Sequence, residues 1–272
     1  MDSYKRITCG LLIYWLLCMI QTNVAAGATE KNGQDQLRLH VVFNNVPYKA
    51  GLETSWGFAC LIEGLDKTIL FDTGGDGEIL LSNMRRLGLD AKAIDAVVLS
   101  HIHADHTGGL DALLTHNPDV TVFLPASFPA SFRQAIERRG AAIETVSGPR
   151  QLLPRVHSTG EMHGTLTEQA LIVDSREGLI VITGCAHPNV ADMAEQAHRY
   201  LDKNIYLLMG GFHMSGKSKS EIQEIINRLR ALGVRKIAPS HCTGDKASNQ
   251  FRDEWKDDFI DGGLGAIIEA PR

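Results

Sequence analysis

The chain has no cluster of basic residues and no basic stretch interleaved with aromatics, and its formal net charge is −5 over 272 residues. That excludes the electrostatic footprint of a nucleic-acid binder. No Gly-x-Ser-x-Gly segment occurs, so a serine nucleophile on a strand-to-helix elbow is excluded as well. Gly74-Gly75-Asp76-Gly77 has the glycines but not the Lys-Ser/Thr of a nucleotide loop, and reads as a turn into a helix. Cysteine is sparse. Of five, Cys9 and Cys18 fall in the first 28 residues, which leaves Cys60, Cys185 and Cys242. Disulfide frameworks belong to shorter, cysteine-dense chains, so none is expected here. Neither a low-complexity linker nor a 20-to-50-residue repeat divides the sequence.

What is present begins with a leader. Lys5 and Arg6 precede a mostly apolar stretch over residues 7–20, and Val24-Ala25-Ala26-Gly27-Ala28 comes after it. A positive start, an apolar middle and small residues at the end make a secretory signal peptide. The apolar stretch is shorter than the roughly 20 residues that span a bilayer. The expectation is a signal peptide over residues 1–28, cleaved near Ala26 or Ala28, then a polar stub over residues 29–36. One domain over residues 37–272 would come next. Its location would be secreted or periplasmic, with no stable membrane association after cleavage, and anchored if uncleaved.

Hydrophobic residues make up 44% and charged residues 22%, which suits a globular chain with a sizeable core. Strands are expected at residues 37–43, 58–63, 68–71, 94–99, 120–124, 169–174, 179–183, 205–209, 236–239 and 266–269. Helices are expected at residues 76–87, 108–116, 131–139, 190–201 and 220–232, several of them ended by glycine. Strand-rich halves with helices outside predict an α/β chain in which two sheets pack face to face, covered on both outer faces.

Against that background one segment stands apart. Leu99-Ser-His-Ile-His-Ala-Asp-His-Thr-Gly-Gly-Leu110 packs His101, His103, Asp105 and His106 into six positions after an apolar strand. His101 and His103, two apart, share one side of an extended segment. Asp105 and His106 fall on the next turn, free to point at a second ion. Imidazole and carboxylate together suit zinc, manganese or iron better than calcium. Solvated loops rarely gather four such groups behind a buried strand, so a metal centre outweighs a surface histidine cluster. Three strands of the second half run into further histidines: His187 in Gly-Cys-Ala-His-Pro, His213 in Gly-Gly-Phe-His, and His241 in Ser-His-Cys-Thr-Gly. His163 reads as a loop histidine.

In these residues the chain resembles the metallo-β-lactamase superfamily. Asp72-Thr73-Gly74, the His-x-His-x-Asp-His run and the strand-end histidines carry the likeness from about Leu37 onward. Trp56-Gly57-Phe58, Gly184-Cys185-Ala186-His187-Pro188, Gly210-Gly211-Phe212-His213 and Ser240-His241-Cys242-Thr243-Gly244 point to one branch. That branch holds the dihydropterin-linked aminobenzene-5'-phosphate synthases and related metal-dependent hydrolases. The resemblance implies an αββα sandwich of two mixed sheets with two divalent metal ions, zinc first and manganese or iron as alternatives. It assigns His101, His103 and His187 to the first ion, and Asp105, His106 and His241 to the second. Asp72 would hold the histidine loop without touching metal. The bridging Asp common in the superfamily is missing, and Cys185 and His213 stand in its region.

The resemblance further implies a small-molecule substrate and a metal-activated hydroxide that attacks an ester, phosphoester or lactam-like bond. Asp105 would both ligate and accept the water's proton, and His213 would act on the leaving group or a substrate phosphate. The branch's named synthase activity is the alternative, and a signal peptide argues against it. A di-iron redox protein is weaker still, since such proteins carry Glu where this chain keeps His103. Trp56, Phe58 and Phe212 could wall a flat ring, although packing is the usual fate of aromatics.

Overall fold

The computed structural model describes residues 36–272, so the leader expected over residues 1–28 lies outside the described residues. Residues 37–272 form one compact unit, which holds the described helices and strands. No described helix is long and apolar enough to cross a membrane.

Among the described residues thirteen strands form two sheets. The first half contributes β1 (Gln36–Asn44), β2 (Phe58–Glu63), β3 (Ile69–Phe71), β4 (Ala96–Val98), β5 (Thr121–Pro125) and β6 (Ala142–Val146). The second contributes β7 (Arg150–Leu153), β8 (Val156–Ser158), β9 (Leu171–Ser175), β10 (Gly178–Thr183), β11 (Ile205–Gly211) and β12 (Lys236–Ser240). The last strand, β13 (Ile267–Pro271), returns to the first sheet, whose order is β13-β1-β2-β3-β4-β5-β6. The second sheet runs β12-β11-β10-β9-β8-β7. Both sheets are mixed. In the first, β1, β2 and β3 pair antiparallel while β3 to β6 run parallel. In the second, β10, β11 and β12 run parallel and the rest antiparallel.

Parallel strands need crossovers, and here the crossovers are helices that cover the outer faces. They are α1 (Gly77–Arg86), a single turn α2 (Ala104–Thr107), α3 (Leu110–His116), α4 (Ala130–Arg138), α5 (Val190–Leu201), α6 (Lys219–Ala231) and α7 (Asp245–Trp255). Three apolar layers result. Between the sheets Leu39, Val41, Phe71 and Val98 meet Val173, Ile180, Ile182 and Met209. Leu80, Met84, Leu110 and Leu113 cover the first sheet, while Met193, Ile222, Ile226 and Phe251 cover the second. The fold is the αββα sandwich of two mixed sheets.

Elements with a buried face match their expected positions. The edge strands β6 and β7, the three-residue β8 between β7 and β9, and helix α7 go beyond the expected set. β6 and β7 lie at sheet margins with half-exposed side chains, so alternation leaves little signal. Helix α7 is polar around most of its girth, and only Ala247, Phe251 and Trp255 are buried. Their spacing of four is the signal that would have revealed it.

Candidate metal centre

In sheets of this kind, sites gather at the carboxyl ends of parallel strands. The loop after β4 carries His101 to His106, while His187 comes after β10, His213 after β11, and His241 directly after β12. The structure brings all the predicted ligands to one edge of the sandwich. Asp105, His106, Cys185 and His241 form one group, and His101, His103 and His187 a second. Within each group the candidate ligand atoms lie within 4.8 Å of one another. Cys185 and His187 also form a third group with His213, whose ring stands 4.6 Å from that of His187. His163 is exposed, bonded to Thr167 at 3.0 Å, and joins none of them.

Holding so many imidazoles in one tautomer requires a partner for each Nδ1. His106 donates to Asp72 Oδ2 at 2.7 Å and His187 donates to Glu168 Oε2 at 2.8 Å. His241 donates to Asn45 Oδ1 at 2.7 Å. Ser100 Oγ gives its own proton to Asp72 and accepts from His101 Nδ1 at 2.8 Å. Every one of these rings therefore turns an Nε2 lone pair inward.

Glu168, Asn45 and Ser100 escape sequence reasoning, and Glu168 matters most. Fully buried, it accepts the backbone N–H groups of Cys185, Ala186 and His187 as well as the His187 ring. It shapes the whole loop that carries the third imidazole. A single glutamate ahead of an apolar strand has no spacing that marks it. Its only signal is a charge where burial is about to begin.

Backbone strain concentrates here too. Among the described residues eight non-glycines have positive φ, and Asp72, Ala186, Asn189, His213 and His241 are five of them. Each such conformation costs about 1–3 kcal/mol and persists only where its surroundings enforce it. Two glycines allow close approach. A Cβ on Gly57 would stand 2.2 Å from the Asp105 carbonyl, and one on Gly184 would stand 2.1 Å from Ser100 Oγ.

The electrostatics favour neutral imidazole at His101 and His106 and ionised carboxylate at Glu168 and Asp105, while Asp72 goes the other way. Burial pushes His101 down to about 3 and His106 down to about 4. Burial also lifts the Asp72 carboxyl to about 7. For Glu168 burial works in the same sense, but the His101 charge and the N–H donors outweigh it and hold the carboxyl well below its usual range. Asp105 is likewise held low, its partial burial overcome by His241 and His106. Cys242 is pulled down by its hydrogen bonds from Cys185 and His213, which in turn raise Cys185 and His213.

These groups fit a metal on their own geometry. His106 Nε2 lies 3.2 Å from His241 Nε2, 3.3 Å from Cys185 Sγ and 3.5 Å from Asp105 Oδ2, and His241 Nε2 lies 3.4 Å from Asp105 Oδ2. A tetrahedron of bonds about 2.0–2.1 Å long has edges of about 3.3–3.4 Å. Two facing lone pairs at 3.2 Å repel unless a cation lies between them. His101 Nε2, buried with no hydrogen-bond partner, is the matching orphan of the three-imidazole group.

One sequence suggestion is corrected, and one motif the sequence reading passed over is explained. Phe58 and Phe212 are buried in the core at 0% and 1% exposure, so neither faces a substrate; Trp56 alone is exposed. Residues 211–218 have the spacing Gly-x4-Gly-Lys-Ser of a nucleotide loop and lie between β11 and α6. Here, however, Ser218 and Glu221 bond each other's backbone in a capping box at the start of α6, so a carboxylate fills the phosphate's place.

The sequence profile of the metallo-beta-lactamase superfamily matches residues 57–241. A 7,8-dihydropterin-6-methyl-4-(beta-D-ribofuranosyl)-aminobenzene-5'-phosphate synthase of Methanocaldococcus jannaschii is 31% identical over 82% of this chain and 92% of its own. A second M. jannaschii protein, the uncharacterized MJ0448, is 25% identical over 85% of this chain and 99% of its own. Among solved structures, Tm1679, described as a metal-dependent hydrolase of the beta-lactamase superfamily, superposes with a TM-score of 0.75 at 25% identity. It covers 87% of this chain and all of its own.

Proposed function

From the premise that this chain belongs to the metallo-beta-lactamase superfamily, we propose that it is a metal-dependent hydrolase of ester, phosphoester or lactam-like bonds. The observation that carries this reading is the pair of adjacent donor sets. Among Asp105, His106, Cys185 and His241, the three distances from His106 and the one between His241 and Asp105 run from 3.2 to 3.5 Å, as the edges of a tetrahedral cage would. Beside them stand the three imidazoles of His101, His103 and His187, a number that leaves a fourth position for water or substrate. Divalent ions there, zinc first by this donor set, supply Lewis-acid polarisation and acidify water.

The protein's own groups do the rest. Asp105, held ionised and partly exposed, accepts a proton at the carboxylate oxygen that does not face the cage. His213 is exposed beside His187, its pKa is raised by its hydrogen bond to Cys242, and it is the group placed to give a proton to a leaving group. Asp72, Glu168, Asn45 and Ser100 keep the rings in one tautomer. The test is turnover of a chromogenic phosphodiester before and after chelation. Chelator-sensitive turnover restored by zinc is expected, and metal-independent turnover would overturn the reading.

The synthase similarity favours a second reading, a dihydropterin-type aminobenzene-phosphate synthase. Metal-dependent joining of a 7,8-dihydropterin that carries a leaving group on its 6-methyl to a ribofuranosyl-aminobenzene 5'-phosphate, with release of that leaving group and no hydrolysis of the phosphodiester, would select it. A secreted or periplasmic location, expected from the leader-like sequence, is part of the proposal and would favour the hydrolase, because phosphorylated biosynthetic intermediates stay in the cytoplasm; sequencing the mature N-terminus checks it.

A further inference from the structure

Among the described residues four large hydrophobic side chains are exposed: Val46 at 36%, Tyr48 at 60%, Trp56 at 57% and Ile267 at 51%. Three of the four line a single cleft of about 780 Å³, and that cleft opens on His241. Chance scatter of surface apolar groups does not gather them beside one metal-ligand candidate. A volume of this order suits a small organic ligand.

The cleft is built, not loose. The Trp56 ring stands 4.9 Å from the His241 ring, and the backbone at the next residue is packed against the histidine loop, since a Cβ on Gly57 would meet the Asp105 carbonyl at 2.2 Å. Val46 and Tyr48 ride on a strap pinned to residue 264 by bonds from Leu264 N to Val46 O and from Lys49 N to Leu264 O, at 2.8 and 2.9 Å. Asn45, the residue just before that strap, is the partner that orients His241. The aromatic wall and the ligand imidazole are thus one mechanical unit.

Charge decides what the wall faces. Arg252 also lines the cleft, but its guanidinium is spent on Asp261 and lies over Phe259 at 4.1 Å. Asp245 and Asp261 line the same space. The outer cleft therefore offers no free cation and repels an anion.

The geometry points to a substrate that carries an uncharged planar ring next to its scissile ester or phosphoester group, with the ring lying against Trp56 and Tyr48. This deepens the hydrolase proposal and rests on it for the position of the scissile group. The anionic part faces the metals, and the ring occupies the aromatic wall, where stacking and burial supply about tenfold or more in affinity.

The test uses the metal-loaded full chain and two non-hydrolysable probes, 1-naphthylphosphonate and methylphosphonate. Binding is read by calorimetry and by tryptophan fluorescence, with the cleavage of an aryl and an alkyl phosphodiester measured alongside. Expected are an affinity about tenfold or more higher for the naphthyl probe, quenching that Trp56→Leu removes, and a fall in the aryl-over-alkyl preference in Trp56→Leu and Tyr48→Ser. Equal affinity for the two probes in the unmutated protein, a comparison that needs no variant, would overturn the ring subsite while leaving metal-dependent hydrolysis standing. Naphthyl binding quenched at Trp56 without any hydrolysis would keep the subsite and overturn the hydrolase reading.

Discussion

Glu168 is the residue on which the three-imidazole group most depends, for its one fully buried carboxylate satisfies four N–H donors. Glu168→Gln keeps the shape but turns an amide N–H₂ toward two of those donors. The expected result is a loss of about 2–3 kcal/mol in metal-free stability and a metal affinity at the first centre lower by about 10–100-fold. Denaturant melts and metal titration measure the two, and unchanged affinity would remove Glu168 from the site. Protons report on the same rings. His101 and His106 are depressed to about 3 and about 4, so each adds stability that is present above pH 6.5 and lost as pH falls toward those values. Asp72, raised to about 7, acts oppositely: its contribution is present below pH 3.8 and lost as pH rises through 7. Between pH 6 and pH 5 two protons are set against one. Chelated protein should lose about 1 kcal/mol over that interval, and a gain in denaturant melts would contradict the assignment.

At the scale of elements, the site depends on how closely the end of β10 approaches the end of β4. A methyl group on Gly184 would stand 2.1 Å from Ser100 Oγ and 2.9 Å from Asp72 Oδ2, both buried. Gly184→Ala should cost about 2–3 kcal/mol and weaken metal binding through displaced Asp72. Gly148→Ala, with open space and ordinary φ, should stay within about 0.5 kcal/mol, and thermal melts of both variants make the comparison. The central strands were legible because burial on both faces writes continuous apolar runs, as in Leu179-Ile-Val-Ile182. The histidine run was legible because its ligands are adjacent in sequence. Edge strands β6 and β7 and the polar helix α7 bury too little to leave a pattern, and β8, only three residues long, is too short to show one. Glu168 and Asn45 act through contacts across 19 and 196 positions, a separation at which spacing carries no information.

At the scale of the whole molecule, each sheet contributes part of the centre. The first supplies His101 to His106 and the Asn45 strap, and the second supplies Glu168, Cys185, His187, His213 and His241. Bound ions would join the two and add their binding free energy to folding, about 2.7 kcal/mol at a hundredfold excess over the dissociation constant. Chelation should accordingly lower the melting temperature of the entire domain as one transition, whereas an unmoved calorimetric melt would separate metal from fold. The central claim is that this edge holds two ions, one of them in the cage of Asp105, His106, Cys185 and His241. Elemental analysis of the purified protein beside its Asp105→Asn variant tests it most directly. The account predicts about two ions per chain in the unmutated protein and about one in the folded variant; a single ion in the former, or two retained in the latter, would contradict it.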